Sequence, residues 1–386
     1  MKSLILDQSG KLGGAELCLA DIAQQFSTTS LIGVFTEGTF PDYLRDRNIP
    51  VKILCDRTLH VQKNSGLLAG LKSLNQLIPL VTKVAQLSQQ YDLLYANTHK
   101  ALVVGALASF LSGRPLVYHL HDIVSADHFS TLTRHIIISL ANRAALVIAN
   151  SQASRDAFIQ AGGRAEHVQV VYNGFYLNTY TNDANHQATP LSEPTSRPAA
   201  PPEHATQFVV GHFSRLSPWK GQHILIEALR HCPDTVTAVF VGDALFGEQD
   251  YVQQLQQQIK AFNLEHRVKF LGFRSDIPDL MSACDLVTHT STATEPFGRG
   301  IVEARLCGTP VVAAAAGGAT ELIDHGQTGW LTPPGDAKKL ADIINECQSE
   351  PERLKTITQQ AQTQAKQRFD LETTNRQVSE LLNEVR

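Results

Sequence analysis

The 386-residue chain has no long apolar run, no paired cysteines and little net charge. Its longest apolar stretch, Ala101 to Leu111, is 11 residues and contains Gly105 and Ser109. A membrane span needs about 20 residues, so a spanning helix is excluded. Near the start, Leu4-Ile5-Leu6 is broken by Asp7 before a secretory signal core can form. Six cysteines, at 18, 55, 232, 284, 307 and 347, show no C-x-x-C pairing. That argues against a zinc knot or disulfide framework and fits a reducing cytosol. A net charge of −4 argues against a general nucleic-acid binder.

What is present fits two globular cores. Hydrophobic residues make up 43% and charged residues 18%, which excludes wholesale disorder. At roughly 100–200 residues per domain, the length predicts two or three domains. Thr181 to Thr206 carries five prolines and one large apolar residue, Leu191, so it is expected to be a linker. The expected parts are therefore 1–180, the linker 181–206, 207–368 and a final helical segment 369–386.

Both halves alternate short β-branched runs with longer helical periodicity, the pattern of βα units on a parallel sheet. Strands are expected at 3–7, 30–35, 51–54, 92–96, 115–120 and 145–149. In the second half they are expected at 207–213, 236–242, 268–272, 285–289 and 310–314. The fold class is α/β, two Rossmann-like doubly wound domains facing a central cleft. Ligands in such sheets sit at the carboxyl ends of the strands.

Charge is unevenly shared: residues 1–180 carry a net +3 and residues 181–386 a net −7. No acidic residue occurs between Asp56 and Asp92, where Arg57, Lys63, Lys72 and Lys83 accompany a helical face from Leu67 to Val84. Residues 57–91 therefore read either as a basic amphipathic helix lying on an anionic membrane or as a core-packed helix, kinked by Pro79, with a basic rim.

Five loops carry the chemistry. Gly13 and Gly14 follow strand 3–7 and open a helix, a backbone anion cradle without the G-x-G-x-x-G dinucleotide spacing. Arg215 and Lys220, in Ser214-Arg215-Leu216-Ser217-Pro218-Trp219-Lys220-Gly221, sit between a strand and a helix N-terminus, a pairing suited to a diphosphate. Glu295 and Glu303 bracket the turn Pro296-Phe297-Gly298-Arg299-Gly300. Glu303 is able to accept both hydroxyls of a ribose, or it is simply a first-turn helix acid. Gly317-Gly318 either admits a ligand close to the backbone or shapes a tight connection. Finally, alternation points His119 and His121 to one side of a strand end, with Asp122 available to orient an imidazole. No third strong ligand accompanies them in sequence, which argues against a metal site.

Taken in order, glycine pair, His-Asp, R-x-x-x-x-K-G, E-x₇-E and G-G-x-x-E resemble the GT-B glycosyltransferases, specifically the retaining family 4 (glycosyl transferases group 1). The resemblance covers nearly the whole chain and is most specific from Thr294 to Trp330. It implies that Arg215 and Lys220 hold the diphosphate, that Glu303 holds the ribose and that Glu295 meets the donor sugar's hydroxyls. It further implies that Phe297 and Gly298 lend amides and that Gly13 and Gly14 reach the diphosphate. On the same ground His121 lies beneath the transferred sugar and Arg274 borders the base. The last helix is implied to return to the N-terminal domain.

The resemblance also implies a metal-independent reaction with no cofactor beyond a UDP- or GDP-sugar co-substrate, and a glycan or lipid-linked acceptor. The cysteine usage leads to an expected cytoplasmic location, and residues 57–91 to an expected peripheral contact at the inner face of the membrane. A catalytically silent nucleotide-sugar-binding scaffold and a sugar-nucleotide epimerase on a similar fold are the competing readings.

Overall fold

The computed structural model describes residues 1–55, 67–180, 207–245 and 247–385, without the side chains of 67–76. The expected 181–206 linker and the cations Arg57 and Lys63 lie outside the described residues. Two compact units are formed, one from Met1–Phe175 with Leu371–Arg386 and the other from Tyr176–Asp370.

The first unit is built on a seven-stranded parallel sheet of β1 (Ser3–Asp7), β2 (Ser30–Val34), β3 (Val51–Ile53), β4 (Leu93–Ala96), β5 (Leu116–Leu120), β6 (Leu146–Ala149) and β7 (Val168–Val170). Their spatial order is β3-β2-β1-β4-β5-β6-β7. The second holds six parallel strands, β8 (Phe208–Phe213), β9 (Val236–Val241), β10 (Val268–Gly272), β11 (Leu286–His289), β12 (Val311–Ala314) and β13 (Trp330–Thr332). These run β10-β9-β8-β11-β12-β13. Strands β1, β4, β5, β6, β9, β11 and β12 are buried along their whole length. Helices cover both faces, so unbroken runs such as Leu146-Val147-Ile148-Ala149 replace polar alternation.

In each sheet the order in which strands are added reverses beside the first strand: between β1 and β4, and between β8 and β11. Those are the points where loops diverge and leave room for a ligand. The loop after β1 enters α1 (Gly14–Gln25), and the loop after β4 enters α4 (His99–Ser112). Thr98 caps α4 by accepting the Ala101 amide, and Gly113 ends it in the left-handed region at φ 72°. The loop after β8 passes through a short 3-10 turn, Pro218–Lys220, into α7 (Gln222–Leu229).

Two edge strands, β7 and β13, were not among those expected. Each has three residues. Helix α3 (Leu67–Ser88) contains Pro79. The final helix, α14 (Leu371–Glu384), buries Val378 and Leu382 in the core of the first unit with Leu19, Ile22 and Ile148. Its start is pinned where the Leu371 amide donates to the Phe175 carbonyl (3.1 Å) and Thr374 Oγ1 to the Tyr172 carbonyl (3.2 Å). Gly174 permits this, because a Cβ there would lie 2.7 Å from Leu371 Cα.

Candidate active site

In the second unit, the loops after β8 and β11 converge on one carboxylate. Glu295 is 7% exposed, and its Oε2 accepts from Lys220 Nζ at 2.7 Å and Ser291 Oγ at 3.0 Å. His289 Nε2, at the end of β11, lies 3.4 Å from the same oxygen. Burial alone would push the Glu295 carboxyl up, but Lys220 and then His289 outweigh it and hold it down at about 2. His289 is pushed down to about 4 by burial, against the pull of Glu295, and is therefore neutral near pH 7. Neither His289 nor Ser291 belongs to any motif singled out in the sequence.

Trp219 organises the two cations. Lys220 Nζ lies 4.0 Å from the indole ring centre and Arg215 Cζ 5.7 Å from it, so the aromatic face holds both charges by their attraction to its quadrupole. The turn closes at Gly221, whose φ of 73° and close approach to the Thr290 carbonyl (1.9 Å from a Cβ placed there) demand glycine.

Helix α10 (Arg299–Leu306) begins at Gly298, φ 101°. Phe297 is buried, and its ring meets Phe369 edge-on at 6.0 Å. Glu303 lies one turn into α10 with its Oε1 3.4 Å from Arg299. Gly317-Gly318 packs against the Glu295 loop. The Gly318 amide donates to the Glu295 carbonyl (2.8 Å), and a Cβ on Gly317 would lie 2.2 Å from that oxygen. Arg274 forms a bidentate pair with Asp276, at 2.8 and 2.6 Å.

In the first unit, Gly13 caps α1 and Gly14 is its first residue. A Cβ on Gly13 would meet Glu16 Oε2 at 2.8 Å. His121 follows β5, and its Nε2 lies 2.9 Å from Asn97 Oδ1. Asn97, just after the neighbouring strand β4, supplies that oxygen. The Asp122 carboxylate lies 3.8 Å from His99 Nδ1, and against its burial the charges of His99 and His121 hold it below the usual carboxylate range. His119 is buried with its Nδ1 2.6 Å from Tyr95 Oη, and burial holds its ring well below the usual imidazole range.

The expectation that no third metal ligand accompanies the histidines needs correction. Cys18 on α1 brings its sulfur within 4.8 Å of ligand atoms on His119 and His121, the one such group among the described residues. Packing of α1 over the sheet brings together positions about a hundred residues apart. Cys18 Sγ donates to Asn173 Oδ1 at 3.1 Å, and one ring nitrogen of each histidine has the polar partner given above.

The family model "Glycosyltransferase Family 4" matches residues 34–178, and "Glycosyl transferases group 1" matches residues 196–364. The crystal structure of Anabaena Alr3699/HepE in complex with UDP and glucose is 57% identical, covers 99% of each chain and superposes with a TM-score of 0.89.

The chain belongs to glycosyltransferase family 4.

A second HepE structure, in complex with UDP-glucose, is 56% identical over the whole of both chains. The D-inositol 3-phosphate glycosyltransferase 1 of Catenulispora acidiphila is 27% identical, over 90% of this chain and 85% of its own. The sucrose-phosphate synthase of Thermosynechococcus elongatus, 18% identical with a TM-score of 0.82, shares the GT-B fold. This glycosyltransferase is thus an enzyme of two parallel-sheet α/β units, as the motif order implies.

Proposed function

We propose that this glycosyltransferase transfers glucose from UDP-glucose to a glycan or lipid-linked acceptor, with retention of configuration and without a metal ion. The observation that carries the reading is the Lys220–Glu295 pair beside Arg215 and Trp219, in a chain 56% identical to one crystallised with UDP-glucose.

Breaking the glycosyl–phosphate bond leaves an oxocarbenium-like sugar and a nucleoside diphosphate with added negative charge. Arg215, Lys220 and the amides that open α7 and α10 are assigned to that charge, already in place before it develops. Glu295 keeps Lys220 in one position, and Glu303 is assigned the ribose hydroxyls. His121 is assigned the face of the transferred sugar, Gly13 and Gly14 the diphosphate, and Arg274 the edge of the base, once it exchanges Asp276 for ligand. No side chain is assigned as a covalent nucleophile, so attack comes from the leaving-group side, with the departing phosphate taking the acceptor's proton.

A thermal-shift series with UDP, GDP, UDP-glucose and GDP-glucose tests the donor. Ligand at 100 times its dissociation constant adds about 2.7 kcal/mol to the folded state. Stabilisation by GDP-glucose and none by UDP-glucose would overturn the assignment. Binding with no turnover across a broad acceptor panel would favour a silent scaffold instead, and a new sugar nucleotide formed without acceptor would favour an epimerase.

Contact with an anionic membrane is part of the same proposal, in altered form. Lys83 Nζ donates to the Leu54 carbonyl at 2.8 Å, so it is tied to its own unit. Support comes instead from exposed apolar side chains: Ile78 on α3, Leu107, Phe110 and Leu111 on α4, and Leu132 and Ile136 on α5 (Thr131–Ala141). Among the described residues no helix is long and apolar enough to cross a membrane. Co-sedimentation with anionic liposomes should fall for Phe110→Ser; failure to sediment at low salt removes the claim.

A further inference from the structure

His121 is held by a chain of polar groups that reaches across three elements. Its Nε2 meets Asn97 Oδ1 at 2.9 Å, and Asn97 Nδ2 donates to Asp7 Oδ2 at 2.7 Å and to the Ala15 carbonyl at 3.3 Å. Asp7, fully buried at the end of β1, is fixed in turn by the Ser9 amide, 2.7 Å from its Oδ1. Neither Asn97 nor Asp7 belongs to a motif of the sequence.

The chain fixes a proton. The Ala15 carbonyl only accepts, whatever the state of Asp7, so the nitrogen side of the Asn97 amide must face it. The oxygen side is then left for His121, and an oxygen with no hydrogen requires that Nε2 carry one. An amide also orients the ring without giving it a charge partner, unlike the carboxylate that stabilises an imidazolium in hydrolase triads.

We propose that Asn97, braced by Asp7 and Ala15, is a positioning residue that holds His121 as the neutral Nε2–H tautomer for the transfer step. The inference rests on the proposed role of His121. Neutrality matters there because the sugar itself becomes cationic in the transition state, and an imidazolium beneath it would oppose that charge. The titratable groups that act on the ring are His119 and Asp122 from its own strand end and Cys18 from α1, with Asp7 of β1 reaching it through Asn97.

Nitrogen NMR of the ring-labelled protein should report His121 protonated at Nε2 and bare at Nδ1. Asn97→Asp should leave the fold and the UDP dissociation constant unchanged while lowering kcat at neutral pH on the order of 10²-fold. Its rate should recover at higher pH, as the imidazolium favoured by the new carboxylate loses its proton, whereas a merely structural defect would not follow pH. If Asn97→Asp fails to fold, Asn97→Ser, too short to reach the ring, should lower kcat without the pH-dependent recovery. An Nδ1–H ring in the wild type overturns the proposal, as does a folded Asn97→Asp with wild-type kcat and pH profile. His121→Ala turning over at full rate overturns the transfer role of His121, and this inference with it. The NMR arm separates that result from a wrong tautomer.

Discussion

Lys220 Nζ sits 2.7 Å from Glu295 Oε2, joining a loop after β8 to a loop after β11 across 75 positions of sequence. The pair is shielded, with 14% and 9% of the two side chains exposed, so it differs in kind from a surface ion pair worth a fraction of a kcal/mol. Removing one partner leaves the other buried and unmatched.

Lys220→Ala should therefore act twice. Loss of a donor aimed at developing charge should lower kcat by on the order of 10²–10³-fold. The melting temperature should also drop, because Glu295 keeps only Ser291 and His289. Glu303→Ala should lower kcat/KM without the same loss of stability, since Glu303 pairs with Arg299 of its own helix at 3.4 Å. Steady-state kinetics and melting curves on both variants check this; normal turnover in both would remove the assigned roles.

Trp219→Ala should weaken donor binding. Contacts between a cation and an indole face are worth roughly 0.5–2 kcal/mol, or about a 2- to 30-fold rise in the UDP dissociation constant. Calorimetry with UDP reads the change directly. Trp219→Phe should recover part of the affinity, because a phenyl face attracts cations less strongly.

Acid and base affect the two units in opposite senses. Glu295 is held at about 2 in the folded state against an ordinary 4.5, so its stabilisation is complete above about pH 4.5 and is lost as pH falls through 2. Asp7 and Glu16 behave oppositely: burial pushes Asp7 up to about 6, and burial with the charge of Asp7 pushes Glu16 up to about 8. The folded chain keeps those protons after the unfolded chain has released them, so stability declines from pH 3.8 to about 6 through Asp7 and from 4.5 to about 8 through Glu16. Melting temperatures should show Glu16→Gln gaining on wild type as pH rises from about 5 to about 8. Glu295→Gln should instead flatten the acid limb.

Gly317→Ala should destabilise the second unit by at least about 1 kcal/mol. Its φ is 63°, and a Cβ would press on the Glu295 carbonyl and the Thr294 side chain. Denaturant titration measures the loss. Reduced turnover should accompany it, as the Glu295 loop gives way.

Much of this was legible in the sequence because the signals are local. A run such as Val236 to Val241 states its own strand, and Gly221 and Gly298 mark left-handed turns. Asn97 was not legible: nothing in Ala96-Asn97-Thr98 announces an imidazole partner 24 residues later, and the adjacent Asp122 was the natural choice. Trp219 was in view but its contact with both cations was not, because a turn's side-chain directions follow from its closure at Gly221. His289 and Ser291 look like an ordinary strand end until the Glu295 loop folds back over them.

The sequence alone determined the βα rhythm, the two cores and the cation- and glycine-bearing loops, since each depends on residues close together along the chain. Only the tertiary structure decided which loops meet. Parallel pairing placed β8 beside β11 and β1 beside β4, and burial then left Glu295 to find Lys220 on the loop after another strand. A carboxylate shut away from water needs the nearest opposite charge in space, and distance along the chain does not enter that requirement.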